Sequence, residues 1–204
     1  MKKLDLRKEL KHLYQPSASE CSLVDVPPMN ALMIDGSGDP NTSPEYVLAL
    51  EWLYALSYTL KFDVRQRLGI DYPVLPSEGL WWADDMDVFH TEDRRGWKWT
   101  MFICQPDIVT PEIVQEAVAR VVEKRGDIPP ASTRFDRFEE GLCVQIMHLG
   151  PYSAEGPTIE RLHAFLRDHG YVPRGRHHEI YLGDPRRTAP ARLKTVLRQP
   201  VRRP

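Results

Sequence analysis

Apolar residues recur along the chain with two periods, and the changes of period mark its elements. Tyr46, Ala49, Leu50, Leu53, Leu56 and Leu60 step by threes and fours, which predicts a helix from about Pro44 to Leu68 with one buried face. Ser43 is placed to cap it, Pro44 suits its first turn and Gly69 its end. Tyr54 and Tyr58 stand one turn apart on a flanking line, where they either face a ligand or edge the core with wet hydroxyls. A second helix follows the same logic, with Thr110-Pro111 at its start, Ile113, Val114, Ala117, Val118, Val121 and Val122 along one side, and Gly126 as its stop. A third is predicted from about Ala154 to His169, with Ile159, Leu162 and Leu166 inward and Gly170 closing it.

Period two appears between these helices. Pro27-Pro28 restricts the first candidate strand to Asn30–Asp35. Tyr72–Ala83 sets Glu78, Leu80 and Trp82 on one face and Gly79, Trp81 and Ala83 on the other. After a charged hairpin loop, Asp84 to Arg95, Trp97–Cys104 alternates cleanly: Trp97, Trp99, Met101 and Ile103 oppose Lys98, Thr100 and Phe102. Thr133–Leu149 reads as extended, His177–Leu182 as a short strand and Lys194–Gln199 as the last. Leu4–Tyr14 reads as an arm fixed on the body, because Leu10, Leu13 and Tyr14 need cover. The order strand, helix, strand, strand therefore occurs twice, with Met33-Ile34-Asp35-Gly36 in the place that Met147-His148-Leu149-Gly150 takes in the second half. The expected fold class is α+β: two such units forming an antiparallel sheet with helices on one side and a central ligand cleft, a common place for a small-molecule site. Residues 1–204 are read as one domain, with an arm (1–22), a first repeat and its connecting helix (23–126) and a second repeat (127–204).

Composition narrows the function classes. A net charge of −2 over 204 residues lacks the basic excess of a nucleic-acid-binding protein. The 42% apolar content suits a globular core. No stretch approaches a membrane span and the start has no signal-type apolar core, so a soluble cytoplasmic protein is expected. Three cysteines, Cys21, Cys104 and Cys143, have neither zinc-type nor redox-type spacing and read as reduced thiols.

The candidate chemistry centres on His177-His178-Glu179-Ile180-Tyr181-Leu182, where alternation places Glu179 and Tyr181 on one face. An acid beside a tyrosine in a strand is either a solvated edge or the polar floor of a pocket. Trp81, Trp82, Trp97 and Trp99 are candidate walls or core, and Trp81 and Trp82 cannot both line one cleft because they alternate. Other patterns carry less. Adjacent strand residues such as His177 and His178 make poor joint metal ligands, and no metal or cofactor is expected. Asp84-Asp85-Met86-Asp87 lacks the glycine and terminal glutamate of a calcium loop. Gly36-Ser37-Gly38 matches no phosphate motif. The basic tail from Arg186 to Arg203 reads as a solvated edge, and no nucleophilic triad is evident.

Several runs carry a resemblance. Leu23-Val24-Asp25-Val26-Pro27, Met33-Ile34-Asp35-Gly36-Ser37-Gly38-Asp39-Pro40, Gly79-Leu80-Trp81-Trp82 and His178-Glu179-Ile180-Tyr181-Leu182-Gly183-Asp184-Pro185 together resemble the GyrI-like (gyrase-inhibitor-like) small-molecule-binding family over most of the chain. The resemblance implies a duplicated fold related to the effector-binding domains of multidrug-responsive regulators, with an aromatic-lined cleft and an acid near its centre. Glu179 falls at the place of that acid. The resemblance also implies that some stand-alone relatives hydrolyse cyclopropane-bearing genotoxic compounds. On that implication Glu179 is the expected base, its pKa raised by a partly dry site, with Tyr152 and Tyr181 as donors to a developing oxyanion. Trp81, Trp82, Trp97, Trp99, Tyr58, Met33 and Met147 are the expected ligand-binding residues and a flat hydrophobic small molecule the expected partner. The same residues suit plain binding of lipophilic cations, and the family name allows an interaction protein as a third reading.

Overall fold

In the computed structural model, which describes residues 2–84 and 94–204, the elements in chain order are β1 (Lys2–Lys3), α1 (Leu6–Glu9), α2 (Lys11–Tyr14), β2 (Ser22–Val26), β3 (Met29–Ser37), α3 (Pro44–Leu68), β4 (Ile70–Asp71), β5 (Glu78–Trp82), β6 (Lys98–Gln105), α4 (Pro111–Arg125), β7 (Arg134–Phe138), β8 (Gly141–Leu149), α5 (Gly156–Asp168), β9 (Val172–Pro173), β10 (His177–Tyr181) and β11 (Lys194–Arg202). The fold is α+β, and the doubled order is visible as β3-α3-β5-β6 and β8-α5-β10-β11. The strand expected at Asn30–Asp35 lies within β3, and the stretch before Pro27-Pro28 forms a strand of its own, β2, because the prolines break the ladder rather than delay its start. The extended run 133–149 is likewise divided, at Glu139-Glu140. Most of the acidic loop predicted from residue 84 lies outside the described residues.

The chain forms two compact units that interleave in sequence. The first holds Met1–Glu9, Met29–Ser77 and Trp82–Phe138, and the second Leu10–Pro28, Glu78–Trp81 and Glu139–Pro204. In the first unit, β3 lies antiparallel between β6 and β7. Helix α3 packs on β3 and β6 and against α4. Ser43 accepts a hydrogen bond from the Tyr46 amide at the start of α3, and Gly69 ends it with φ 66°, the left-handed conformation that glycine adopts without strain. The helix buries Ala49, Trp52, Leu53, Leu56, Leu60 and Val64, and the Gln105 side chain donates to Ser57 at 3.0 Å.

The second unit is an antiparallel sheet in the order β2-β8-β11-β10-β5. Its register sorts two faces. Glu179 pairs with Leu197, and Leu197 with Ile146, so these three share one face. That face holds Val144, Ile146 and Leu197 under Leu162 and Leu166 of α5. The opposite face holds Val26, Cys143, Met147, Ile180 and Val196 under Leu13 and Tyr14. The arm's last turn is thus a fixed lid on the sheet, as its leucines demanded. Burying each of Leu13 and Tyr14 contributes about 1.5–3 kcal/mol, and polar contacts fix the chain there. Arg198 donates to the Leu13 carbonyl at 2.8 Å and Gln145 to the His12 carbonyl at 2.6 Å.

Candidate functional site

Glu179 stands on β10 with its side chain 15% exposed, and β10 is hydrogen-bonded to β11 on one side and β5 on the other. Tyr181, two residues along and therefore on the same face, donates its hydroxyl to Glu179 Oε2 at 2.7 Å. Trp81 reaches this face from β5, where it pairs with His177, and donates its indole N–H to the Tyr181 oxygen at 3.0 Å. Tyr152 lies just past β8 in a short 3-10 turn, with its ring edge-on to that of Tyr181 at 5.5 Å and 38% exposed. Gly79 is the residue opposite Glu179 on β5, so the directly paired position contributes no side chain. A largely buried carboxylate with one oxygen held by a phenol, which is itself bound by Trp81 and lies edge-on to Tyr152, is an arrangement that can attract a flat cation or take a proton from water.

The remaining candidates divide. Met147 is on the other face of the second unit, in the core with Leu13, Tyr14 and Ile180, because its register sets it out of phase with Ile146 and Glu179. It does not join the Glu179 group. Trp82 follows Trp81 in β5 and takes the alternate face of that strand. In the first unit Trp99 is 1% exposed, edge-on to Tyr46 at 5.4 Å, with its ring laid over Gly36. It is a core residue there. Met33 pairs with Phe102 and so faces away from Trp99. Trp97 precedes β6 with the Arg94 guanidinium 4.9 Å above its ring. Tyr58 is 49% exposed on α3 and stacks on Tyr54 at 6.5 Å. Of the ten candidates, Glu179, Tyr181, Trp81 and Tyr152 form one contiguous group.

Sequence reasoning missed a buried charge network directly behind this group. His178, fully buried on the arm face, places Nε2 2.9 Å from Glu78 and Nδ1 2.9 Å from Glu140. Arg198 approaches Glu140 at 3.3 Å and also binds the Gln145 amide oxygen. Tyr14 donates to Glu78 at 3.4 Å. Burial alone would lower the His178 pKa, but Glu140 and Glu78 outweigh it and hold the ring above its usual value. Burial alone would raise Glu140, and His178 with Arg198 hold it below the usual carboxylate range instead. Two carboxylates and two cations thus neutralise one another inside the unit. The available signal was the apolar strand parity that forces His178, between His177 and Glu179, to the inside.

Other chemistry is sparse. Among the described residues no group of three or more His, Cys, Asp or Glu is placed to hold a metal. No described helix is long and apolar enough to cross a membrane. Burial pushes the Cys143 thiol up, which makes it a poor nucleophile. An open hollow of about 550 Å³, lined by Leu149, Arg187, Thr188, Ala191, Arg192 and Lys194, does not include Glu179 or its aromatic neighbours.

A duplicated α+β fold that presents an acid among aromatics suits the class of small-molecule-binding proteins. The comparisons place the chain within it. The model of the GyrI-like small molecule binding domain matches residues 19–202, and the chain belongs to that family. An uncharacterized conserved protein from Listeria innocua is similar at 41% identity with a TM-score of 0.90, over 98% of this chain and 100% of that one. Two structures of hydrolases from Listeria innocua are similar at 39% and 40% identity, with TM-scores of 0.84 and 0.88, each over 98% of this chain and 100% of the other. No functionally curated protein matches the chain significantly.

Proposed function

We propose that this protein is a hydrolase that opens activated cyclopropanes with water, a protective reaction against flat genotoxic electrophiles. The observation that carries the reading is the Tyr181–Glu179 pair: a carboxylate with Oε2 fixed by a phenol and Oε1, 3.4 Å from His177 Nε2, as the oxygen that would act as base. The hydrolases from Listeria innocua, at 39–40% identity, support the reaction class. In a cyclopropane conjugated to a dienone, the water oxygen bonds to the ring CH2 and one ring C–C bond breaks. The electron pair of that bond passes into the dienone, whose oxygen becomes a phenolate. Glu179 takes the proton lost by water, and Tyr152, the more exposed of the two tyrosines, donates to the oxygen that gains charge. Tyr181 holds Glu179 in place, and Trp81 holds Tyr181.

The test pairs binding with turnover. An aryl-fused spirocyclopropyl cyclohexadienone should quench tryptophan fluorescence of wild type and Glu179→Gln alike, and only wild type should release ring-opened phenol. Glu179→Gln turning over at the wild-type rate would remove Glu179 from the chemistry. A second reading, non-catalytic binding of lipophilic cations, is favoured by a carboxylate linked through Tyr181 to two further aromatic rings. It predicts saturation at one equivalent of a tetraarylphosphonium ion and no product from the dienone.

A further inference from the structure

A base that takes a proton from water must lose it before the next cycle, and the Glu179 carboxyl has one neighbour suited to receive it. His177 stands two residues before Glu179 on β10, on the same face. Its Nε2 lies 3.4 Å from Glu179 Oε1, the oxygen that Tyr181 does not hold, and the two side chains are 17% and 15% exposed. That Nε2 is buried and makes no hydrogen bond among the described residues. On this face of β10 the titratable groups beside His177 are Glu179 and Tyr181. The adjoining strands present Trp81 from β5 and Leu197 and Thr195 from β11, and beyond Thr195 on the same face β8 presents buried His148, whose ring nitrogens meet the Thr158 hydroxyl at 3.0 Å and the Pro151 carbonyl at 3.2 Å.

From this geometry we infer that His177 is the positioning and relay residue of the site: neutral Nε2 accepts the proton that Glu179 Oε1 has taken from water and passes it on through the ring to solvent. The inference rests on the hydrolytic reading above. The balance is simple. Water gives one proton to Glu179, Glu179 gives it to Nε2 of His177, Nδ1 gives its own proton to bulk water, the phenolate takes one from bulk water, and exchange of the remaining imidazole proton with solvent restores the starting tautomer. A carboxyl without this outlet waits for solvent to reach a half-buried group. His177 touches no reacting atom, and its effect falls on kcat rather than on binding.

The experiment compares wild type, His177→Gln and His177→Ala on the aryl-fused spirocyclopropyl cyclohexadienone, measuring kcat and KM from pH 5 to 9, with far-UV circular dichroism as a check on folding. Both variants should lose about tenfold or more in kcat with KM nearly unchanged. A loss between about tenfold and 100-fold separates a relay from a group acting directly on the reacting atoms, for which roughly 100-fold is the floor. The pH dependence of kcat seen in wild type should change in both variants, and added imidazole should restore rate to His177→Ala in a concentration-dependent way. Folded variants with wild-type kcat and an unchanged profile would overturn the inference and leave the hydrolase reading intact. A wild-type protein that gives no product at all would overturn the hydrolase reading and this inference with it.

Discussion

Glu179 has two unlike oxygens, and most of the account at the scale of single residues follows from that difference. Oε2 accepts from Tyr181, which in turn accepts from Trp81. Tyr181→Phe removes both bonds and leaves the Trp81 N–H without its partner. Kinetics should register a fall of at least about tenfold in kcat, and a denaturation curve a loss of about 1–2 kcal/mol. The pairing of Glu179 with Tyr181 was legible from alternation alone. Trp81 was also among the sequence candidates, but its hydrogen bond to Tyr181 was not legible, because it depends on which strand neighbours β10, and a strand's partner is a long-range choice that no local pattern encodes. The same limit applies to Trp99. In sequence it looks like a cavity wall, but its ring occupies the space a side chain at position 36 would need: a Cβ on Gly36 would come within 2.1 Å of the Trp99 ring. Gly36→Ala is therefore expected to destabilise the protein by about 1–3 kcal/mol through overpacking, read as a lower urea midpoint. The Gly-rich appearance of residues 36–38 reflects, at Gly36, a packing demand and not a phosphate cradle.

Among the elements, the arm and β10 are linked through the far side of the strand that carries the site. His178 lies between Glu179 and His177 in sequence and points the other way, into the Glu78–Glu140–Arg198 network that also holds Tyr14 and the Leu13 carbonyl. The strand is thereby fixed from behind, which keeps Glu179 in register. Removing one partner leaves a buried charge uncompensated, so His178→Leu should cost about 3–5 kcal/mol. The network also sets a pH window. His178 has a folded pKa above its ordinary 6.5, so its contribution is whole below about that pH and is lost as pH rises through the raised value. Glu140 has a folded pKa below its ordinary 4.5, so its contribution is whole above about that pH and is lost as pH falls through the lowered value. Both contributions are complete together between about pH 4.5 and 6.5. Thermal unfolding across pH 4–9 should show the midpoint falling on the alkaline side of that window in wild type, with a shallower fall in His178→Leu. Helices were the more legible elements here because caps and stripes are local: Ser43, Pro44 and Gly69 bound α3 as read. Strand ends at Pro27-Pro28 and Glu139-Glu140 were less so, since a break in a ladder depends on its partners.

For the whole molecule, the doubled strand-helix-strand-strand order was legible because each half repeats the same change of period. The assignment of segments to compact units was not, because β2 and most of β5 pack with residues 139–204 rather than with their neighbours in sequence. That exchange brings Trp81, 100 residues away in the chain, to Tyr181. Membership of the GyrI-like family and similarity to hydrolases over the full length fit a protein whose duplicated frame serves one acid-and-aromatic group. The most direct test of the central claim is a count of product per protein in isotopically labelled water. Wild-type protein with excess aryl-fused spirocyclopropyl cyclohexadienone in H₂¹⁸O should give many equivalents of the hydroxyethyl phenol, with the label in the new alcohol, and Glu179→Gln should give none above background. One equivalent or less from wild type, or equal yields from the two proteins, would contradict it.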